Sequence, residues 1–329
     1  MDIPPCMLVT GANGFLGSEI ARQGMINNLP IRETDKNGAS IKPQRDYQPA
    51  DILDIPRIKS ALRGINCVIH AAGLAHVFNP VKTQTGLFEV INVKGTENIA
   101  RAAAEAAVRH FVLISSVSVY GPGAHKIFSE DTSCCPVGPY AESKHHAELR
   151  AMEIARNSGM ALTILRLATI YGEGDPGNVN RLMRVLDRGR FIWIGDGSNQ
   201  KSLIYKGDAA RACLAVASRP ANGVRIYNVA APPCTMREIA DSLAMALGKK
   251  PLPVRIPAHV ALATGKFLSC FPAKRFSGLH STIEKWLAED VYDTSRFERD
   301  YGFHTHVNLI EGLKREVRWY RQSKGNTCQ

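Results

Sequence analysis

The sequence predicts an α/β protein: a doubly wound parallel sheet with a smaller, interleaved C-terminal domain. Three observations carry that expectation. Short apolar strands alternate with helical stretches through the first half of the chain, at the spacing βαβ units require. A glycine-rich turn, Thr10-Gly11-Ala12-Asn13-Gly14-Phe15-Leu16-Gly17, joins the first strand to the first helix. Beyond Tyr171 the alternation gives way to Gly-rich loops and short mixed elements.

In chain order, Cys6–Thr10 reads as the first strand and Phe15 to Asn27 as the helix after the turn. Leu29–Thr34 is assigned as the second strand on its position, because Arg32, Glu33 and Thr34 are polar for the inside of such a sheet. A polar loop runs through Pro49. Pro56–Arg63 makes a short helix with proline at its start, where the missing N–H has no partner to lose. Cys67–His70 is a buried strand, Glu89–Ala107 an alanine-rich helix, Phe111–Ser115 a strand, Tyr140–Ser158 a helix and Leu162–Leu167 a sixth strand. Ile226–Val229 is apolar enough to return to the main sheet. The expected division is residues 1–167 with a return over 208–230, against 168–207 and 231–329.

Composition narrows the class. With 329 residues, 45% hydrophobic and 22% charged, the chain is neither disordered, collagenous nor coiled coil. Its eight cysteines show no Cys-x-x-Cys spacing, so neither a metal site nor a disulfide framework is expected. Met1-Asp2-Ile3-Pro4-Pro5 has no basic region ahead of an apolar one, and the stretch Cys67–Val81 is broken by His, Gly and Asn. A cytoplasmic protein without a transmembrane segment is the expectation. The net charge of +11 favours an anionic partner, but the basic residues are scattered, so nucleic acid is not expected. Ile256–Phe271, apolar and helical in period, reads as a packed core helix, with a helix lying on a membrane surface as the alternative.

The glycine-rich turn has a chemical reading. Glycine permits a tight bend and close approach of backbone to a pyrophosphate, and the helix that follows offers free N–H groups to the anion. Gly11, Asn13, Gly14, Phe15, Leu16 and Gly17 are therefore candidate dinucleotide contacts. Asp35 stands 18 residues beyond Gly17, at the end of the second strand. A carboxylate there accepts both ribose hydroxyls and repels a 2′-phosphate, so NAD is expected ahead of NADP, with Lys36 softening that choice.

Tyr140-Ala141-Glu142-Ser143-Lys144 sets a phenol and an ammonium four residues apart on one helix face. Tyrosine serves as a base near neutrality only if its pKa falls from about 10 to about 7, roughly 4 kcal/mol. A lysine one turn away, with the positive nicotinamide ring, supplies that stabilisation. Ser116, just past the strand Phe111–Ser115, is placed to hydrogen-bond the oxygen whose proton Tyr140 removes, with Ser115 its rival.

The Gly-x-x-Gly-x-x-Gly spacing resembles the short-chain dehydrogenase/reductase superfamily, and the likeness continues in order along the chain. Asp51-Ile52 resembles the pair that brackets adenine there. Ala71-Ala72-Gly73 resembles the segment along the cofactor, and Asn92-Val93-Lys94-Gly95-Thr96 the Asn-x-x-Gly-Thr motif. Tyr140 lies 24 residues beyond Ser116, as in the extended branch, and counting back from Val119-Tyr120-Gly121 against that pattern selects Ser116 over Ser115. The resemblance spans nearly the whole chain and is strongest over 7–172. Within the branch it is nearest to the NAD-dependent epimerase/dehydratase family, UDP-hexose 4-epimerases in particular.

That resemblance implies a Rossmann-type fold, retained NAD, transient oxidation of sugar C4 with Tyr140 as base, and a UDP-sugar substrate. It implies a homodimer paired through the helices Glu89–Ala107 and Tyr140–Ser158. It also implies His76, Ser118, Thr169, Asn178, Lys201 and Arg275, with Lys274 beside it, as substrate contacts. Lys201 stands where these enzymes carry Arg, and lysine supplies charge without the bidentate fork. Dehydratases resemble one another in an acid just after the catalytic serine or threonine. Ser116-Val117-Ser118-Val119 offers none, which disfavours dehydration. The alternatives are an NAD(P)-dependent reductase or dehydrogenase of a 4-keto sugar nucleotide or of a bulky, 3β-hydroxysteroid-like alcohol. A non-catalytic dinucleotide sensor is a third, and the intact Ser116, Tyr140 and Lys144 argue against it.

Overall fold

The computed structural model describes residues 6–36, 46–75, 86–122, 127–250, 254–269 and 279–325. Strands β1 (Met7–Thr10), β2 (Ile31–Thr34), β3 (Asp46–Tyr47), β4 (Cys67–His70), β5 (His110–Ser116) and β6 (Ala161–Leu167) follow one another in the first half. Short strands β7 (Thr169–Tyr171), β8 (Trp193–Ile194), β9 (Gln200–Lys201) and β10 (Leu203–Tyr205) come next, and β11 (Val224–Val229) rejoins the main sheet. The main sheet has the order β11-β6-β5-β4-β1-β2-β3. Each neighbouring pair in it is parallel. The expected doubly wound sheet is present, including the return of Ile226–Val229 beside β6.

Successive strand side chains point to opposite faces, and both faces are buried, which is why these strands read as continuous apolar runs. On one face Met7, Val9 and Ile69 pack under helices α1 (Phe15–Ile26) and, later in the chain, Lys206–Ser218, through Ile20, Ala209 and Cys213. On the other, Leu8, Val68 and Phe111 pack under α2 (Ile55–Ala61), α3 (Gly95–Glu105) and α4 (Pro139–Ser158), through Ile58, Ile99 and Ala151.

The polar second strand has a local explanation. It lies one position from the sheet edge, and Arg32 turns outward to pair with Asp46 at 2.9 Å. Its Nη1 also donates to the carbonyls of Ala61 and Arg63, which the end of α2 leaves open.

Two expected elements differ in detail. β5 runs one residue further than Phe111–Ser115, so Ser116 is its last residue, opposite Leu167 of β6. The single helix expected over Glu89–Ala107 is two: a π-helical turn, Glu89–Lys94, precedes α3. Widened turns of this kind re-aim side chains and are frequent at functional sites.

The second half builds its own core. Helices α5 (Asn178–Asp187), α6 (Lys206–Ser218), α7 (Met236–Leu247), α8 (Ala258–Ser269), α9 (Leu279–Leu287), α10 (Ser295–Tyr301) and α11 (Leu309–Gly325) follow. Met183 of α5, Leu243 of α7 and Leu313 of α11 are fully buried together. The expectation of a packed core helix over Ile256–Phe271 is corrected. Ala261 is buried and Gly265 lies against His280 and Ile283 of α9, but Val260 and Phe267 face outward. Several of the described residues of α8 are thus exposed rather than packed in a core.

Candidate active site

At the end of β1 the chain turns through Gly11 at φ 67°, a left-handed conformation that glycine adopts without strain. A Cβ there would stand 2.7 Å from Ala72 N, and one on Gly17 would run into the Gly11 carbonyl. Both glycines are therefore fixed by packing alone. Gly14 caps α1 with no side-chain acceptor, and no acid lies in the first turn, so N–H groups and the helix dipole are left for an anion. Asp35 at the end of β2 accepts from Asn13 N at 3.1 Å, while Lys36 is exposed. Nearby, Thr34 Oγ1 is buried with no hydrogen-bond partner among the described residues. Asp51 turns back on Leu53 N at 2.9 Å, and buried Ile52 fills the space over Gly95.

A buried polar thread ties this loop to its neighbours. Thr10 Oγ1 accepts from Ala72 N at 3.2 Å and bonds His70 Nδ1 at 2.7 Å, and His70 Nε2 reaches Thr96 Oγ1 at 3.1 Å. Burial and, secondarily, Lys144 push the His70 imidazole down to about 3, so it is neutral, one nitrogen donating and the other accepting. Asn92, aimed by the π-helical turn, accepts from Leu74 N at 2.6 Å. It donates to Leu74 O at 3.0 Å and to Ser143 Oγ at 2.9 Å. Asn92 thereby fastens the Ala71-Ala72-Gly73 segment to α4, and its Oδ1 would be 3.2 Å from a Cβ on Gly73.

Pro139 sits in the first turn of α4, which Gly159 closes at φ 75°. Tyr140 and Lys144 share one face and are half-buried, as is Ser116. The Phe88 ring meets Tyr140 edge-on, with centroids 6.1 Å apart. Burial pushes the Tyr140 phenol up, and a hydrogen bond with Ser116 opposes it. Burial pushes Lys144 down to about 8, with the Glu148 charge opposing, and its Nζ donates to Ile114 O at 2.5 Å. Ser118 N donates to Ser116 Oγ at 3.2 Å, and Ser118 Oγ is buried with no hydrogen-bond partner among the described residues.

Known proteins resemble this chain in sequence and fold. The NAD dependent epimerase/dehydratase family matches residues 7–230. The chain belongs to this family. N-acetyl-alpha-D-glucosaminyl-diphospho-ditrans,octacis-undecaprenol 4-epimerase of Escherichia coli O157:H7 is 28% identical over 319 residues, 95% of this chain and 94% of that protein. A dTDP-glucose 4,6-dehydratase of Streptomyces griseus is 26% identical over 342 residues, 97% of this chain and 94% of that protein. The structure of MoeE5 in complex with UDP-glucose and NAD superposes with a TM-score of 0.77 at 25% identity, covering 97% of this chain and 99% of that one. The uncapped α1, the tight Gly11 cradle and Asp35 fit the NAD on which the family depends.

Beneath its active-site helix this epimerase/dehydratase family member holds a buried ion pair. Glu148, one turn beyond Lys144, accepts from Arg166 Nη2 at 2.7 Å and Nε at 3.1 Å, and from Ser115 Oγ at 2.5 Å. Arg166 Nη1 goes on to Tyr120 OH at 3.1 Å, and Tyr120 donates to Asn228 Oδ1 at 2.7 Å. Ser115 is thus committed to Glu148, and Ser116 is the serine left beside Tyr140. The i, i+4, i+8 spacing of Tyr140, Lys144 and Glu148 was the available sequence signal for this network. Among the described residues one group, Cys134, His145 and Glu148, brings possible metal ligands within 4.8 Å of one another. Its Glu148 oxygens already receive the Arg166 guanidinium.

The expected substrate contacts are more dispersed. Thr169 opens β7 and Asn178 opens α5, both exposed. Lys201 Nζ donates to Asp290 Oδ2 at 2.6 Å and to Lys285 O at 2.7 Å, so its charge is engaged within the protein. His76, Lys274 and Arg275 lie outside the described residues.

Proposed function

We propose that the chain is a 4-epimerase of nucleoside-diphosphate hexoses, UDP-linked sugars first among them. The observation that carries this reading is the half-buried Ser116–Tyr140–Lys144 cluster beside the NAD loop, followed by buried Val117 where a dehydratase needs an acid. NAD, when bound, accepts a hydride from the sugar carbon and returns it. Tyr140 takes the hydroxyl proton as the carbonyl forms and gives it back as the alcohol re-forms. Ser116 Oγ holds that oxygen, and Lys144, cationic below about 8, opposes the negative charge that grows on the phenol. Asn92, through Ser143, fixes the register of α4 against the cofactor segment.

A second reading, in which the sugar diphosphate is borne on a polyprenol, is favoured by the relative of that specificity and by the outward apolar side chains of α8. Two copies pairing through α3 and α4, and a cytoplasmic location, complete the proposal. Among the described residues no helix is long and apolar enough to cross a membrane. Exposed Val90 and Leu149 beside and on those helices support the pairing.

The test is to denature freshly purified protein, assay the released dinucleotide, and offer UDP-hexoses to intact protein without added cofactor. Stoichiometric NAD and interconversion of C4 epimers are expected. Tyr140→Phe should lower kcat by about a thousandfold while NAD stays bound. Protein that arrives without NAD and consumes added NAD(P) stoichiometrically overturns the epimerase in favour of a net reductase or dehydrogenase.

A further inference from the structure

A helix with one face on a protein core ordinarily turns a polar face to water. α8 turns large apolar side chains outward as well. Its inner side is apolar and so close to α9 that a Cβ on Gly265 would stand 2.8 Å from Ile283 Cδ1. On its outer side, beside exposed His259, Thr264 and Lys266, Phe267 is 65% exposed and Val260 43%, seven residues apart and hence on one stripe. Val254, at the entry to this segment, is 49% exposed.

Charge in the same stretch is equally one-sided. Between Asp241 and Glu284 the sequence contains no Asp or Glu, yet it carries Lys249, Lys250, Arg255, Lys266, Lys274 and Arg275. These six cations amount to more than half of the net charge of +11. Elsewhere the basic residues are interleaved with acids, as in Arg211 with Asp208 and Arg296 with Asp131. Glu284, which ends the acid-free run, lies 3.3 Å from His280.

We propose that the outward side of α8, with the strand Arg255–Ile256 before it, docks on an anionic lipid surface. Val260 and Phe267 enter the boundary between headgroups and acyl chains, while Arg255 and Lys266 lay their stems along it and meet lipid phosphates. An exposed apolar stripe in an acid-free, lysine- and arginine-bearing stretch of sequence matches that boundary in both respects, since it offers hydrocarbon below and negative charge above. The docking stands independently of the reaction proposed above. It bears on the substrate, because a polyprenol-borne sugar diphosphate would be presented at the same surface.

The experiment is co-sedimentation of the full-length protein, as purified with its cofactor, with vesicles. One set is phosphatidylcholine alone, and the other contains roughly a third phosphatidylglycerol. Binding to the anionic set alone is expected. Val260→Asp and Phe267→Asp should each weaken it about tenfold, the loss expected when one large apolar side chain no longer enters the membrane. Lys266→Glu should weaken it as well, and turnover of a soluble sugar nucleotide by the three variants should match the parent, showing that they fold. No binding to anionic vesicles overturns the proposal. Binding that both aspartate variants leave intact also overturns it, because the overall positive charge would then account for adsorption. A change of oligomeric state in the variants without vesicle binding assigns the surface to a second copy of the chain instead. Sedimentation is read without turnover, so failure here and failure of the epimerase reading are separate results.

Discussion

Glu148 and Glu316 are both fully buried glutamates on helices, and the protein holds them in opposite protonation states. Burial acts to raise both carboxyls. At Glu148, the His145 ring 3.9 Å away, the hydrogen-bonded Arg166 guanidinium and the Ser115 hydroxyl outweigh it and hold the group below the usual carboxylate range. Glu316, on α11, accepts from Gly172 N at 3.1 Å, while its Oε1 has no hydrogen-bond partner among the described residues. Burial, reinforced by Asp175, pushes it up to about 9. What decides the sign is a guanidinium fork at contact distance, since desolvation is common to both. The charged glutamate lies one turn from Lys144, and the neutral one in the core of the second half.

Removing the fork tests the first member of the pair most severely. Arg166→Ala should strand a buried carboxylate and cost about 3–5 kcal/mol of unfolding free energy by denaturant titration. A loss below about 1 kcal/mol would mean that Glu148 is satisfied without it. Glu316→Gln tests the second member with the opposite sign. The folded carboxyl keeps its proton to about 9, while the unfolded chain loses it near 4.5, so stability falls as pH rises between those values. The variant should therefore gain about 4–5 kcal/mol over the parent at pH 8 and nothing at pH 4. An equal gain at both pH values would trace the effect to packing.

The adjacent serines sharpen the comparison at the smallest scale. Ser115→Ala removes one of several bonds to Glu148 and should cost about 1 kcal/mol of stability with kcat retained. Ser116→Ala should leave stability intact and lower kcat about a hundredfold. The reverse pattern would exchange their roles.

The glycine turn, Asp35 and the Tyr140–Lys144 pair were legible because each depends on a local rule: turn conformation, strand length or helical period. The same rules drew six of the seven strands of the main sheet, down to the return of β11, but missed the edge strand β3, Asp46–Tyr47, in what reads as a polar loop, because two polar residues carry no hydropathy signal of a strand. The rule was not enough for Ser115 and Ser116, which sit side by side at the end of β5. There the partner on α4, thirty-three residues away, assigns one to Glu148. Asn92 was found as a motif, but its grip on Leu74 and Ser143 depends on a π-helical turn that the sequence periodicity does not announce.

The sequence by itself determined the parallel α/β sheet, the glycine turn and the placing of Tyr140 and Lys144 on one helix face, because these follow from the intrinsic geometry of turns, strands and helices. The tertiary structure decided which charges are engaged and which faces remain open. Lys201 meets Asp290 across 89 residues of chain, and α8 leaves Val260 and Phe267 exposed. Both outcomes depend on which distant segment arrives opposite a side chain. Hydropathy and spacing along one segment carry no record of that.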